Sequence, residues 1–528
     1  MPAALTARDL VKSYRARPIL DGIELIATAG RRIGCVGENG VGKSTLLRLL
    51  AGVEAPDSGT VEAPADLGYL PQEPDFAAGV TVGEVGAAAL APLHRAVRQV
   101  ETLSAALPDR TQDYVRALEW AQAHQAWDAD RRAELARARL GLAGIAADRP
   151  VATLSGGQRS RLALALIMTS RPDCVLLDEP TNHLDGDTLS MLEEFLIGLP
   201  GVLVVVSHDR VFLDRVCTDI VDLDPTDGRS GIRYGGGFSD YLEQKAAARA
   251  RWQQTYLDQQ ATIAQLRRAS TASVTSVAHG RGPTDGDKFI YNFKGGNVER
   301  THARRVRNAQ RRLDIAERDQ VRKPRPPLRF DAPLTGPVGS RRIAVSLRDV
   351  EVTGRLLLPR LDVRSGGRLL ITGANGSGKS SLLAVIAGTL GTDRGVVTVA
   401  ARRVGLLAQD VSFADPAKTA QQTFDGRFAM DGSNPTLSEL DLLHPRELNT
   451  AVGELSVGQR RRLALALLIA GRPDLLLLDE PTNHISLALA AELEQALQAA
   501  VGTVLVASHD RWLRERWSDQ VLALAGRR

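Results

Sequence analysis

The sequence predicts an α/β fold in which two tandem copies of one domain are joined by an antiparallel α-helical hairpin. Four motifs occur twice in the 528-residue chain, in the same order, which indicates an internal repeat. Around these motifs, short apolar runs alternate with helical patterns, as in domains whose helices cover a parallel sheet. A basic segment with helical periodicity separates the copies. We therefore expect domains at 1–239 and 331–528, with the linker at 240–330.

The spacing of the repeated motifs locates an insertion in the first copy. The pairs are GENGVGKST and GANGSGKSS, LSGGQRSRLALAL and LSVGQRRRLALAL, LLDEPTNHLD and LLDEPTNHIS, and SHDR twice. The glutamines of YLPQE and LLAQD are 337 positions apart, whereas the two SHDR histidines are only 301 apart. The first copy therefore has 36 extra residues after its glutamine, within about 86–140. This segment is rich in Ala, Arg, Glu and Leu, which predicts helices.

Each copy contains the pattern G-x-x-x-x-G-K-[ST] between a short apolar run and a helical one. This strand–loop–helix context favours a phosphate-binding P-loop over a simple glycine turn. The glycines let backbone N–H groups face phosphate oxygens, and the helix N-terminus adds a positive dipole end. The lysines would reach the β- and γ-phosphates, and the following serines would offer a hydroxyl to Mg²⁺. The residues expected to bind nucleotide are Gly37, Asn39, Gly40, Gly42, Lys43, Ser44, Thr45, Gly373, Asn375, Gly376, Gly378, Lys379, Ser380 and Ser381.

A strand followed by two carboxylates completes each predicted site. CVLLDE and LLLLDE each begin with four apolar residues, a pattern typical of a parallel strand buried on both faces. The first carboxylate, Asp178 or Asp479, would hold Mg²⁺ through water. The second, Glu179 or Glu480, would orient or deprotonate the attacking water. The adjoining P-loops disfavour the alternative, a carboxylate pair that only caps a helix.

These motifs resemble those of the ATP-binding cassette superfamily, and the resemblance extends over nearly the whole chain. It also includes LSGGQ in the first copy and its counterpart LSVGQ in the second, with a glutamine (Gln72 and Gln409) and a switch histidine (His208 and His509) in each copy. It implies ATP and Mg²⁺ as cofactors, ATP hydrolysis, and contact of both glutamines with Mg²⁺. In that superfamily the P-loop of one domain faces the LSGGQ of the other, whose helix N-terminus forms a second phosphate clamp.

The resemblance thus implies two composite ATP sites. The first comprises Lys43, Ser44, Gln72, Asp178, Glu179 and His208, closed by Ser456 and Gly458. The second comprises Lys379, Ser380, Gln409, Asp479, Glu480 and His509, closed by Ser155 and Gly157. Gly156, Gln158 and Gln459 complete the expected signature contacts.

The two sites are not identical. Tyr14 lies 23 residues before Gly37, where the superfamily stacks an aromatic ring on adenine, and its counterpart in the second copy falls near Gly354. Val457 replaces the first signature glycine, and Ser486 replaces the aspartate found at position 185. Both glutamates remain, so we expect both sites to hydrolyse ATP.

Composition excludes several classes of protein. Hydrophobic residues make up 44% and charged residues 24% of the chain, as in ordinary globular proteins. Cys35, Cys174 and Cys217 form no C-x-x-C pair, which disfavours a zinc site or a disulfide framework. No apolar run approaches the roughly 18 residues that a membrane span needs, and no signal peptide is visible. A cytoplasmic protein is expected.

The linker holds most of the positive charge. Residues 240–330 contain 19 Lys plus Arg and nine Asp plus Glu, a net charge of +10 in a chain of net charge +4. Helical stripes are formed by Trp252, Tyr256, Gln259, Ile263 and Leu266 and by Val298, His302, Val306, Ala309, Leu313 and Ala316. Glycines and a proline between them predict a loop at about 270–297. This pattern predicts two antiparallel helices and an anionic polymer as partner.

Two tandem cassettes without a membrane span resemble the ABC-F group, which carries an arm in the first domain and a charged linker. The resemblance implies a monomer whose two ATPase domains close on each other and which binds the bacterial ribosome. In that group the hairpin enters the ribosomal tRNA exit site and contacts peptidyl-site tRNA. In its antibiotic-resistance members a longer loop approaches the peptidyl-transferase centre. DKFIYNFKGG and LSVGQ resemble that resistance subgroup.

The residues expected to bind RNA lie near and after the linker loop, and they are Lys288, Lys294, Arg300, Arg304, Arg305, Arg307, Arg311 and Arg312. Arginines would contact phosphates, and Phe289, Tyr291 and Phe293 would stack on unpaired bases. Alternating aromatics also pack into local cores, and charged linker helices are often only solvated, so these alternatives stay open.

Other functions also remain open. A housekeeping ABC-F translation factor has the same architecture. The ATP-binding subunit of a drug exporter shares the cassettes but would not need a basic linker. A DNA-repair ATPase of the excision type would need zinc-binding cysteine clusters, which the sequence lacks.

Overall fold

A computed structural model describes residues 4–14, 17–38, 40–182, 184, 186–224, 231–271, 304–321, 323, 334–336, 342–373, 376–428, 435–440, 442–445, 447–482 and 487–524. Contacts divide the chain into two units. The first unit contains both copies of the repeated domain, in residues 1–224, 230–238 and 327–528. The second unit comprises residues 225–229 and 239–326 and contains the linker.

The first copy is built on a parallel sheet with a smaller antiparallel sheet beside it. Its strands are β1 Ala4–Tyr14, β2 Arg17–Thr28, β3 Arg32–Val36, β4 Ser58–Glu62, β5 Leu67–Leu70, β6 Cys174–Asp178, β7 Val202–Val206, β8 Asp219–Asp222 and β9 Ile232–Gly235. The larger sheet has the order β5-β6-β7-β3-β8-β9, and β9 alone in it runs antiparallel. Every residue of β6 and β7 is buried, as the uninterrupted apolar runs predict.

Helices flank these sheets: α1 Lys43–Leu50, α2 Val82–Ser104, α3 Thr111–Ala123, α4 Ala129–Arg139, α5 Gly156–Ser170, α6 Gly186–Ile197 and α7 Arg210–Val216. Because the carboxyl ends of parallel strands meet at one edge of a sheet, the loops after β3, β6 and β7 lie together there. This edge carries the P-loop, the paired carboxylates and the switch histidine.

Among its described residues, the linker unit contains α8 Phe238–Thr271, except for Phe238 itself, and α9 over 304–318. Just after α9, Val321 N donates to Gln259 Oε1 of α8 at 2.8 Å, and Arg267 Nη2 of α8 lies 2.7 Å from Glu317 Oε1 of α9. Along α8 the residue number rises from Gln259 to Arg267, while that of the partner falls from Val321 to Glu317, so the two helices are antiparallel. Ile263 and Leu313 of the predicted stripes are buried. The predicted loop at 270–297 lies outside the described residues, apart from its first two positions in α8.

The second copy repeats the first. Its strands are β10 Ile343–Val352, β11 Leu356–Arg364, β12 Arg368–Thr372, β13 Arg394–Val399, β14 Val404–Leu407, β15 Leu475–Asp479, β16 Thr503–Ala507 and β17 Gln520–Ala523. The sheet order β14-β15-β16-β12-β17 matches β5-β6-β7-β3-β8. Its helices are α10 Lys379–Ile386, α11 Ala420–Phe428, α12 Val457–Ala470, α13 Leu487–Ala499 and α14 Arg511–Arg516. The predicted α/β fold with two tandem copies is confirmed.

The extra residues of the first copy lengthen one helix and add others. α2 and α11 start at matching β-bridges, Thr81 with Pro150 and Thr419 with Ala451. α2 has 23 residues, whereas the described part of α11 has nine. α3 packs against α2 around Leu93, Val100 and Ala121. The helices predicted within 86–140 are therefore present, although the first of them belongs partly to the shared domain.

Buried ion pairs connect the two copies. Arg210, the first residue of α7, is 1% exposed, and its guanidinium pairs with Glu494 on α13 and, at 2.7 Å, with Asp510. Burial raises the pKa of Glu494, and the hydrogen bond from Arg210 opposes that rise.

The second copy contributes the reciprocal pair. Arg511, the first residue of α14, places Nη1 2.6 Å from Glu193 Oε1 on α6 and 3.8 Å from Asp209 Oδ2. Each arginine therefore reaches the aspartate that follows the other copy's switch histidine.

Among the residues that the structure describes, no helix has the length and apolarity to cross a membrane.

Arg210→Met should lower the thermal midpoint of unfolding, because it leaves the buried Glu494 and the half-buried Asp510 without this cation. Breaking a buried ion pair from one side costs about 3–5 kcal/mol. Arg215→Met is the matched control, since Arg215 is 49% exposed and pairs at 3.2 Å with Glu193. Differential scanning calorimetry should show a much smaller shift for that variant. Equal shifts for the two variants would contradict a structural role specific to Arg210.

Candidate active sites

Glycines shape both P-loops. Gly42 and Gly378 precede α1 and α10 with φ of 112° and 95°. A Cβ at Gly42 would lie 2.7 Å from Leu20 Cδ2, and one at Gly378 would lie 2.5 Å from the Arg355 carbonyl oxygen. Glycine is therefore required at both positions for steric as well as conformational reasons. Asn39 and Asn375, predicted members of these loops, lie outside the described residues.

The P-loop lysines are buried and held over their own loops. Lys43 Nζ donates to the carbonyl oxygens of Gly37 at 2.8 Å and Glu38 at 3.1 Å, and Lys379 Nζ donates to Gly373 O at 2.8 Å. Burial lowers the pKa of Lys43, against the opposing charges of nearby carboxylates. Phosphate oxygens are stronger acceptors than these carbonyls, so the ammonium groups suit the predicted phosphate contact.

The first carboxylate of each pair lies beside the P-loop serine. Asp178 is hydrogen-bonded to Ser44, and Asp479 to Ser380, and burial raises the pKa of both aspartates. In each aspartate, Oδ1 is buried with no hydrogen-bond partner among the described residues. A hydroxyl next to an unsatisfied carboxylate oxygen is a donor set that Mg²⁺ prefers, so these residues fit the predicted cofactor.

The catalytic candidates occupy a strained backbone conformation in both copies. Glu179 has φ of 52° and Glu480 has φ of 47°, a region that costs non-glycine residues free energy and is often found at functional sites. Their carboxylates accept hydrogen bonds from the backbone N–H of His208 at 3.2 Å and of His509 at 3.3 Å. Burial raises the pKa of Glu179 to about 8.

The switch histidines lie next to these glutamates. His208 Nε2 is 3.3 Å from Glu179 Oε1, and His509 Nδ1 is 2.8 Å from Glu480 Oε1. The hydrogen bond to Glu480 raises the pKa of His509 despite the opposing effect of burial. The structure thus brings together the predicted lysine, serine, carboxylates and histidine in each copy.

The glutamines line the same region. Gln72 is exposed and shares a cavity with Asp178 and Glu179. Gln409 is also exposed, and its carbonyl accepts a hydrogen bond from Arg461. Contact of either glutamine side chain with Mg²⁺ stays a prediction.

The signature serines begin helices. Ser155 caps α5 and Ser456 caps α12, each in a capping box with its glutamine, Gln158 or Gln459. The N–H groups of Gly157 and Gly458 belong to the first turns of these helices. The N-termini of these helices can therefore bind an anion. Val457, which replaces the first signature glycine, is 53% exposed, and the capping box of Ser456 and Gln459 is still formed.

One contact places the second copy's signature against the first copy's P-loop: Arg462 Nη1 is 3.9 Å from Glu38 Oε1. This agrees with the head-to-tail arrangement expected for the first ATP site. Residues 374 and 375, at the corresponding side of the second P-loop, are outside the described part of the chain.

Tyr14 has a different partner in this structure. Its hydroxyl lies 2.7 Å from both carboxylate oxygens of Glu54, and stacking on adenine stays a prediction. Asp9 and Asp349 share positive φ near 50° and oppose Gly59 and Gly395. Their spacing of 340 makes Gly354 the counterpart of Tyr14, as the sequence predicts. Positions 185 and 486, where the copies differ, are outside the described residues.

Three arginines at the sites are not predicted from the sequence. Arg210 and Arg511 are the last residues of the SHDR motifs, in which only the histidine has an expected role. Arg461 lies in LSVGQRRRL and contacts backbone carbonyls of its own copy. The signal in the sequence was the difference between RSR and RRR after the two signatures.

A family model described as "ABC transporter" matches residues 20–182 and 359–483, more than half of the chain. The tylosin resistance ATP-binding protein TlrC of Streptomyces fradiae is 39% identical, over 98% of this chain and 97% of that protein. The energy-dependent translational throttle protein EttA of Mycobacterium tuberculosis is 33% identical, over 99% of this chain and 91% of that protein.

Solved structures show the same fold at low sequence identity. The archaeal ribosome recycling factor aABCE1, solved with the ribosomal stalk protein aP1, has a TM-score of 0.57 at 18% identity, over 98% of this chain and 87% of that one. The RNase-L inhibitor has a TM-score of 0.53 at 19% identity, with the same coverage. Given the family match and the relatives that align along its length, the chain is an ATP hydrolase and belongs to the ABC-F group of the ATP-binding cassette family.

Proposed function

We propose that this protein is a cytoplasmic, monomeric ATPase that binds the bacterial ribosome near the tRNA exit site. Its linker would reach toward the peptidyl-transferase centre, contact ribosomal RNA and peptidyl-site tRNA, and confer antibiotic resistance by ribosomal protection. The observation that carries this proposal is the arginine-rich outer surface of α9.

That surface is positively charged and exposed to solvent. Arg304, Arg305, Arg307, Arg311 and Arg312 are all exposed. Leu313 is buried and Val306, Ala309 and Ala316 are half-buried, so the apolar stripe and the arginines occupy different faces. Five exposed arginines within nine residues exceed what solubility needs and suit an array of phosphates. Lys288, Lys294 and Arg300 lie outside the described residues, and the proposal includes them as further RNA contacts in or next to the predicted loop.

The resistance role is supported by similarity to TlrC, whose name refers to tylosin resistance and which aligns over nearly its whole length. A second candidate is a housekeeping factor that regulates translation, which the similarity to the translational throttle protein EttA favours. Both candidates predict ribosome binding, and they differ in the response to antibiotics.

In the ATP sites, Ser44 with Asp178 and Ser380 with Asp479 would hold Mg²⁺, together with Gln72 and Gln409. Bound Mg²⁺ supplies positive charge to the β- and γ-phosphates. Glu179 and Glu480 orient the attacking water, and His208 and His509 keep the glutamates in place. The signature helix of the opposite copy closes each site on the phosphates.

Glu179→Gln and Glu480→Gln should each lower steady-state ATP turnover, and the double variant should lose about 100-fold or more. The amide keeps the shape but cannot accept a proton from water. Phosphate release with saturating Mg²⁺ and ATP measures this, and filter binding of ATP checks that nucleotide affinity is kept. Unchanged turnover in both single variants would exclude these glutamates as catalytic.

The double variant with ATP should accumulate on ribosomes in pelleting assays, because a closed state that cannot hydrolyse ATP is not released. In that background, reversing the charge of Arg304, Arg305 and Arg307 to Glu should weaken binding about tenfold or more and flatten its salt dependence. The matched control replaces the same three residues by Lys, which keeps the charge. Binding that ignores salt, or survives charge reversal, would contradict the RNA-contact proposal.

Expression of the chain in a sensitive bacterium should raise the inhibitory concentration of at least one drug that acts at the peptidyl-transferase centre. The double glutamine variant is the control, since it cannot complete the ATP cycle. Ribosome binding without any change in drug sensitivity would favour the housekeeping candidate. Sedimentation with membranes instead of ribosomes would favour an exporter subunit.

A further inference from the structure

The two copies differ at the fifth residue after the signature serine. This residue is Ser160 in α5 and Arg461 in α12. Arg461 is only 2% exposed, although arginine is rarely so deeply buried without partners. The partners it has are therefore informative.

Arg461 donates to three backbone carbonyls of its own copy. Nη1 is 2.8 Å from Gln409 O, and Nη2 is 2.6 Å from Asp479 O and 2.5 Å from Glu480 O. A guanidinium is planar and permanently charged, and its hydrogen bonds to neutral acceptors are stronger than those of neutral donors. One side chain thus fixes the main chain of the glutamine loop and of both carboxylates.

The first copy has open space beside the matching residues. A cavity of about 120 Å³ is lined there by Gln72, Ser160, Asp178 and Glu179, among others. The Ser160 hydroxyl donates to Gly156 O within its own helix at 3.2 Å and is too short to extend to the loops as arginine does. A polar cavity of this volume has room for water.

The backbone at these positions needs support. Glu480 and Glu179 both have positive φ, 47° and 52°, and such strain persists only where the surroundings enforce it. Both glutamates also donate their N–H to the neighbouring strand, at 2.8 Å and 2.9 Å. The Arg461 contact is an additional restraint, and the serine at 160 does not supply its equivalent.

Arg461 also lies on the helix that begins with the signature serine. The start of α12 faces the first P-loop, as the contact of Arg462 with Glu38 indicates. Through Arg461, α12 also contacts the main-chain carbonyls of Gln409, Asp479 and Glu480 in the second site. The helix therefore touches components of both ATP sites.

We propose that Arg461 is a positioning residue for the second ATP site: it fixes the carbonyls of Gln409, Asp479 and Glu480 and links them to the signature helix that closes the first site. Ser160 supplies no such link in the first copy, where its hydroxyl is bonded within α5, so the positioning role is specific to the second site. This inference rests on the proposed catalytic roles of Glu179 and Glu480.

The test measures each site separately in the full-length chain. Glu179→Gln leaves only the second site active, and Glu480→Gln leaves only the first. In the Glu179→Gln background, Arg461→Ser should lower kcat about tenfold or more while KM for ATP stays within about twofold, because misplaced catalytic groups slow the reaction more than they weaken binding. In the Glu480→Gln background the same change should leave kcat within about twofold.

Three further variants keep the test decisive. Arg461→Met retains most of the side-chain volume and should behave as Arg461→Ser, whereas Arg461→Lys retains donors and charge and should restore part of kcat. Arg460→Ser removes an arginine one residue away and should change neither site. Thermal midpoints, measured in parallel, identify any variant that fails to fold, and Arg461→Met and Arg461→Lys then replace Arg461→Ser.

The outcomes separate the inference from its basis. If either glutamine variant fails to suppress its site, the catalytic assignments are wrong and the inference falls with them. If the glutamine variants behave as expected but Arg461→Met retains full second-site kcat, the positioning role alone is overturned. Equal losses at both sites, or a rise in KM without a change in kcat, would also overturn it.

Discussion

One buried arginine, Arg210, and one half-buried arginine, Arg511, connect the two copies beside the switch histidines, so both ATP sites lie next to this contact. Arg210 and Arg511 each cross to the other copy and reach the aspartate next to its switch histidine. Charges removed from water need their partners, so separation at this contact is costly. The pairs also hold Asp209 and Asp510, each next to a switch histidine, against an arginine of the other copy.

Much of the fold could be predicted because its determinants are local in sequence. Four apolar residues before each carboxylate pair predict strands buried on both faces, and β6 and β15 have that burial. The stripes of the linker predict the buried positions of Ile263 and Leu313. The first residue of the insertion within 86–140 is harder to predict, because α2 begins as a helix that has a counterpart, α11, in the second copy. Helical periodicity continues unchanged across the point where the insertion starts.

The same reasoning explains which site residues were found. P-loop, carboxylate and histidine motifs have fixed spacing, since each motif is one loop whose backbone needs those residues. Arg461 has no such signature: its acceptors are main-chain carbonyls, which any sequence provides, at positions 18 to 52 residues away. The role of Arg210 is even harder to predict from the sequence, because its partner Glu494 is 284 residues away along the chain. Contacts of this kind become apparent only when the fold has brought the partners together.

The linker has consequences for how such proteins diversify. Each of its helices buries one narrow stripe, and the remaining surface of α9 is exposed. Substitutions on exposed helix surface usually change stability by less than about 0.5 kcal/mol. Residues of α9 can therefore change through single substitutions that leave folding intact, while the ATP chemistry stays in a separate unit. The exposed surface of α9 can therefore diverge one residue at a time while the residues of the ATP sites stay the same.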